Sequence, residues 1–314
     1  MKALLWFTLP LIVVAYLVVS PSESQLETAP PSPPEQVNIP VTLPPDEPLS
    51  LSVFPITLYQ GEPARITIDG LISLSTIQSL TFDGESLQAF HEEEKIAVLV
   101  GIDFHKKPGL YPIVLTLNDG QIIEEKIEVG QRTITTTEFD IPEQLGGNTK
   151  EAEHALTSTL AQDTAIINAV LATTGPEKLW SGPFRLPLDG SIIVTDVYGY
   201  KRQTGSVSLS HQGTDFRATE GTPVYAINSG KVAFAGILRN YGYTVIIDHG
   251  LGLMTLYMHL SSIKIEKGDN LEKGDLVAQS GNTGYSLGPH LHLSVRINTF
   301  SIDPMKFLEL MGSK

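Results

Sequence analysis

The sequence predicts a mainly β protein: an N-terminal β-sandwich, a helical connector and a C-terminal antiparallel β-sheet domain. Three observations predict it. Short alternating apolar runs of strand length recur from residue 49 to the C-terminus, separated by glycine turns. Helical periodicity is sustained over one long stretch only, in the middle of the chain. The 314 residues are 41% hydrophobic and 18% charged, enough apolar material for two ordinary cores.

The elements follow in order. Residues Ala3 to Val19 form an apolar run broken only by Thr8 and Pro10, after Lys2. As a helix it would be about 25 Å long. Residues 1–24 are therefore expected to be a signal peptide, cleaved after Ser24, or an uncleaved membrane anchor. Either places the rest of the chain outside the cytoplasm, in the cell envelope or secreted. Residues 25–48 are rich in proline, in Ala29-Pro-Pro-Ser-Pro-Pro-Glu and Leu43-Pro-Pro-Asp, and read as an extended spacer.

Residues 49–131 carry the runs Ala64-Arg-Ile-Thr-Ile, Ile96-Ala-Val-Leu-Val, Tyr111-Pro-Ile-Val-Leu-Thr-Leu and Ile122 to Val129. Turn signals at Gln60-Gly61, Asp83-Gly84, Pro108-Gly109 and Asp119-Gly120 separate them. The spacing fits a small sandwich, loosely immunoglobulin-like. His91 and His105 in this part read as surface residues. Residues 132–182 read as a connector whose helix spans Asn148 to Thr173, stopped by Gly175-Pro176, with His154 solvated. A chain beginning near Leu179 is then expected to work without them. Residues 183–312 are β-rich, with two Lys-Gly-Asp turns at Lys267 to Asp269 and Lys273 to Asp275. A closing helix runs from Pro304 to Leu310.

Composition narrows the chemistry. Twenty-one basic against 35 acidic residues give a net charge of −14, and no basic block stands out, so nucleic acid is not an expected partner. The absence of cysteine excludes disulfides, thiolate metal sites and cysteine nucleophiles. A metal would have to be held by His, Asp or Glu.

Five of the eight histidines lie between His211 and His292. Four sit in compact motifs: His211-Gln-Gly-Thr-Asp215, Tyr257-Met-His259-Leu and His290-Leu-His292. In a strand His290 and His292 face one side, about 6.6 Å apart. A zinc–nitrogen bond is about 2.0–2.1 Å, so a simple geometry gives one of them the metal and leaves the other beside it. His211 and Asp215 can meet on one ion only if the chain kinks, and Gly213 permits a kink. Two imidazoles and one carboxylate leave a fourth position for water, the pattern of a catalytic zinc site. His249, in Asp248-His-Gly-Leu-Gly, reads as a turn residue.

The motifs His211-x-Gly-x-Asp215, Gly221-Thr-Pro-Val-Tyr-Ala, Gly230-Lys-Val, Asp248-His-Gly, Tyr257-x-His-Leu, Gly281-Asn-Thr-Gly and Gly288-Pro-His-Leu-His292 occur in this order. In these the C-terminal part resembles the lysostaphin/LytM-type zinc metallopeptidases, peptidase family M23. The resemblance implies Zn2+ held by His211, Asp215 and His292, with His259 and His290 as the catalytic pair. It implies an endopeptidase that cuts peptide cross-links or stem peptides of bacterial peptidoglycan by a zinc-activated water. Peptidoglycan is then the expected partner, with the membrane a second one if residues 1–24 are retained. The competing reading is a cell-wall-binding or regulatory protein of the same type with a latent zinc site. Two departures stand out: Tyr198-Gly-Tyr-Lys-Arg202 replaces the usual Phe-Gly-Arg turn, and Ser294 stands where members often carry an acid.

Overall fold

The computed structural model describes residues 48–312, apart from residues 72, 139, 142, 144, 145 and 206. The expected signal or anchor and nearly all of the expected spacer lie outside the described residues. Among the described residues, no helix is long and apolar enough to cross a membrane.

The N-terminal part is two facing sheets. Its strands are β1 (Ser50–Phe54), β2 (Leu58–Tyr59), β3 (Pro63–Asp69), β4 (Ile77–Phe82), β5 (Glu85–Ser86), β6 (Ala89–Glu92), β7 (Lys95–Gly101), β8 (Gly109–Leu117) and β9 (Ile122–Gly130). One sheet runs β1-β3-β7-β6 and the other β2-β9-β8-β4-β5. All pairs are antiparallel except β2 with β9. Alternate residues, such as Ala64, Ile66 and Ile68 against Ile113 and Leu115, fill one core between the sheets. The four runs expected to be strands fall in β3, β7, β8 and β9.

A short strand β10 (Thr136–Glu138) leads to helix α1 (Lys150–Leu171). Thr149 caps the helix by accepting from the Ala152 amide, and Glu151 and Glu153 favour its positive end. The helix is not a free connector. Its buried face, Ala152, Leu156, Asp163, Ile167 and Leu171, recurs at helical spacing. The C-terminal half packs on Leu238, Ile246, Met254, Leu256 and Met258 of the large sheet. The N-terminal half packs with Ile141, Leu209 and Tyr285. His154 is exposed, as the sequence suggests.

Twelve further strands follow: β11 (Val194–Asp196), β12 (Lys201–Thr204), β13 (Val207–Ser210), β14 (Thr214–Arg217), β15 (Pro223–Tyr225), β16 (Gly230–Leu238), β17 (Gly242–Gly250), β18 (Leu253–Ile263), β19 (Asn270–Leu271), β20 (Leu276–Ser280), β21 (His290–Ile297) and β22 (Phe300–Ile302). Helix α2 (Pro304–Met311) closes the chain, with Asp303 capping it and Pro304 in its first turn. The central path is β11-β14-β21-β18-β17-β16-β19; β15, β20 and β22 extend it. In both Lys-Gly-Asp turns the aspartate carboxylate accepts a backbone amide, from Glu266 to Asp269 and from Glu272 to Asp275. Separately, β10, β12 and β13 form a small sheet.

The sandwich is fixed to this sheet. Phe90, Ala97 and Leu99 enter the core that holds Trp180, Phe184 and Phe307. Arg132 pairs with Asp303 at 2.5 Å and lies over the Tyr198 ring. Gly61 sits so close to Tyr198 that a Cβ would come within 2.4 Å of the ring.

Candidate metal centre

Strand register builds the centre. In the β14–β21 pair Asp215 lies opposite His292, and in the β18–β21 pair Met258 lies opposite His292. Those two pairings put the carboxylate, one imidazole and the middle of β18, where His259 sits, on neighbouring strands. His211 precedes β14 and is turned back toward Asp215 by the Gly213 segment. The glycine is required by close approach rather than by an unusual φ. A Cβ there would fall 2.3 Å from His292 Nε2 and 2.5 Å from the Leu293 carbonyl.

His211, Asp215 and His292 converge and are all buried. His211 Nε2 lies 3.1 Å from Asp215 Oδ1 and 3.1 Å from His292 Nδ1; His292 Nδ1 lies 2.7 Å from Asp215 Oδ1. His211 Nδ1 donates to the Val197 carbonyl at 2.9 Å, so a neutral His211 turns the lone pair of Nε2 inward. Lone pairs of nitrogen and carboxylate oxygen then face one another, an arrangement that a cation relieves. Two imidazoles and a carboxylate are a zinc donor set, and tetrahedral zinc would hold such atoms about 3.3 Å apart. The residues present fit a zinc ion. Between His290 and His292, it is His292 that enters the triangle.

His290 and His259 flank it. His290 Nδ1 donates to the Gly288 carbonyl at 2.8 Å, and its Nε2 lies 3.7 Å from Asp215 Oδ1, beyond hydrogen-bond reach. His259 Nδ1 donates to the Thr283 carbonyl at 2.8 Å. The two rings are 4.8 Å apart. His259 takes φ +59°, a left-handed conformation rare outside glycine, just before the register shift in β18. Its amide donates to the Tyr241 carbonyl.

Burial sets the protonation. It pushes His259 down to about 3, helped by the neighbouring His290 and His292. It pushes His292 down to about 4 against the pull of Asp215. For Asp215 burial acts upward, yet the adjoining His211 and His292 imidazoles outweigh it and hold the carboxyl well below its ordinary range.

Arg202 is the participant that sequence reasoning missed. It donates to Asp215 Oδ2 at 2.8 Å and to Asp196. The outer oxygen of Asp215 is thereby occupied, and Oδ1 is left for the centre. The only signal was its place in the departing Tyr198 to Arg202 turn. His249 is no turn residue: it lies within β17, fully buried, with Nδ1 at the Ser229 carbonyl and Nε2 at Thr255 Oγ1. Burial pushes it down to about 4. His91 is exposed; His105, also exposed, lines the cavity of about 390 Å³ that reaches His211, His259 and His292. A second cavity of about 450 Å³ lies beside Asp215 and His290.

A buried His–Asp–His triangle, lined by cavities and flanked by two oriented imidazoles, is a donor set that would suit a metal ion. The Peptidase family M23 model matches residues 209–304, and the chain carries a peptidase family M23 domain in its C-terminal part. Peptidoglycan DD-endopeptidase ShyB of Vibrio cholerae is 32% identical over 207 residues, covering 60% of this chain and 47% of ShyB. Lysostaphin of Staphylococcus simulans is 42% identical over 109 residues, covering 32% of this chain and 22% of its own. A solved Pseudomonas aeruginosa structure assigned to peptidase M23 superposes with a TM-score of 0.60 at 25% identity, covering 80% of this chain and 95% of that one. The chain spans less than half the length of these two curated relatives.

Proposed function

We propose that this chain is a zinc-dependent endopeptidase hydrolysing peptide cross-links or stem peptides of bacterial peptidoglycan, in the cell envelope. The observation that carries the reading is the convergence of His211, Asp215 and His292 beside two imidazoles that each spend Nδ1 on a backbone carbonyl. The likeness to a DD-endopeptidase and to lysostaphin supports the substrate class. An export segment at residues 1–24, cleaved or kept as an anchor, suits that location.

His211, Asp215 and His292 would hold the ion, with Arg202 steadying Asp215. When bound, zinc polarises the scissile carbonyl and acidifies a water near neutral pH. The chain's own groups do the rest. With Nδ1 protonated, the Nε2 atoms of His259 and His290 are proton acceptors. One takes a proton from the attacking water as its oxygen bonds to the carbonyl carbon. The other accepts the water's second hydrogen and fixes its direction. The first then returns its proton to the departing amide nitrogen as the C–N bond breaks, so charge balances across the cycle.

The test is incubation of the full chain with purified cross-linked peptidoglycan, with mass spectrometry of the released fragments. Fragments ending at one type of peptide bond, lost on chelation and restored by zinc, are expected. No release by zinc-loaded protein would refute the enzyme and leave a wall-binding protein of the same family.

A further inference from the structure

Strand β21 carries more than the metal centre. His290, His292, Ser294 and Arg296 alternate onto one face, and the β18–β21 register is unbroken from Leu253 to Met258. Three of the four, His292, Ser294 and Arg296, line the 390 Å³ cavity together with His211 and His259. At strand spacing Arg296 stands about 13 Å from His292.

Among the described residues, Arg296 has no acidic partner. Its Nη2 donates to Gln212 Oε1 at 2.9 Å, and Gln212 is exposed. Its Nε is buried with no hydrogen-bond partner. The titratable groups facing it are the phenols of Tyr241 and Tyr198, which burial keeps neutral, and the Tyr198 hydroxyl is spent on the Ser301 carbonyl. Ser294, next to it on the same face, donates to the Gln212 carbonyl and brings no charge. Burial depresses the guanidinium from its ordinary range. A partly buried cation whose Nε is shut off from water and which has no counter-charge is costly to keep. The chain tolerates that cost at the wall of the cavity that leads to the metal centre.

We propose that Arg296 is an anchoring site for a carboxylate of the peptide substrate, set three to four extended residues from the scissile bond. The inference rests on the peptidase reading for the word substrate; the anion site itself is separable. A guanidinium fork matches a carboxylate, and the amide of Gln212 can yield its place because it is exposed. The site would therefore favour peptides with a free carboxylate at that distance over amidated ones.

The experiment is calorimetric binding to the full chain. The probes are a stem tetrapeptide with free carboxylates and the same peptide with every carboxylate amidated. The acidic form is expected to bind on the order of 10- to 100-fold more tightly, the range of a charge-assisted hydrogen bond. Arg296→Gln should bring that ratio to about one, and Arg296→Lys should keep part of it. Ser294→Glu, which places an acid on the same face, should also erase the preference, and it keeps the proposal testable if Arg296→Gln does not fold. Equal binding of both peptides by the unaltered chain, no binding of either, or a preference that survives in a folded Arg296→Gln protein overturns the proposal. Turnover of peptidoglycan is scored separately: absent turnover with the carboxylate preference intact refutes the peptidase and keeps the anion site.

Discussion

Asp163 is the residue through which helix α1 grips the site, and Asp163→Ala is the perturbation that measures it. The carboxylate is buried and accepts three donors: the Arg239 amide at 3.1 Å, the Asn240 amide at 2.7 Å and Asn240 Nδ2 at 2.8 Å. Those donors lie in the turn between β16 and β17. The same turn receives the His259 amide on the Tyr241 carbonyl and the Tyr285 amide on the Asn240 carbonyl. Each hydrogen bond to a charged group contributes about 1.5–3 kcal/mol, and part of that is recovered if water enters. A net loss of about 3 kcal/mol follows. At about 2.1 cal/mol/K of unfolding entropy per residue, that is a fall of about 5 °C in Tm. Asp163→Asn, which keeps one acceptor oxygen, should lose about half as much. The readouts are thermal melting, zinc content by elemental analysis, and hydrolysis below the melting range. Zinc should stay bound, because no ligand is touched, while the rate falls with the loosened His259. A melting temperature within a degree of the unaltered protein would refute the claim that the helix is tied to the sheet through this carboxylate.

His292→Ala should lower bound zinc, whereas His259→Ala should retain it and lose about 10²-fold or more in rate; elemental analysis beside a rate assay separates the two, and full occupancy in His292→Ala would overturn the ligand set. Gly213→Ala should also lose zinc, although residue 213 is no ligand, because the added Cβ collides with His292 Nε2; unchanged zinc affinity would mean the segment yields easily. His249 titrates at about 4 when folded against about 6.5 when free. The unfolded chain therefore binds more protons between these values. Stability is intact above about pH 7 and should fall by about 3 kcal/mol as pH drops through 6.5 to 4. His249→Gln should flatten that slope in pH-dependent melting, and equal slopes would contradict it. A chain starting at Leu179 should be much less stable than the full protein. It loses the burial of Leu156, Ile167 and Leu171, about 1.5–3 kcal/mol each, against a total of about 5–15 kcal/mol; a cooperative melt at the full chain's Tm would refute this.

The sequence by itself determined the period-2 runs, hence a mainly β protein, and with them the sandwich strands β3, β7, β8 and β9. It determined which residue types could hold a metal, since without cysteine only His, Asp and Glu remain. It also made His290 and His292 compete for one ion, because alternation is a local property of a strand. Which of them enters the triangle is decided by register against β14, where Asp215 meets His292 rather than its neighbour, and register is a pairing between distant segments. The same holds for Gly213. Its local freedom was legible, but the reason a side chain is excluded there is an imidazole some eighty residues away. Helix α1 read as a connector because its apolar spacing says that one face is buried and not against what. The sheet surface of Leu238, Ile246, Met254, Leu256 and Met258 supplies the answer. Arg202 and Arg296 look alike as lone arginines in sequence. Tertiary structure separates them: the first meets Asp196 and Asp215, while the second faces a cavity with no acid at hand among the described residues. Charge pairing depends on which side chains share a buried volume, and only the folded chain defines that volume.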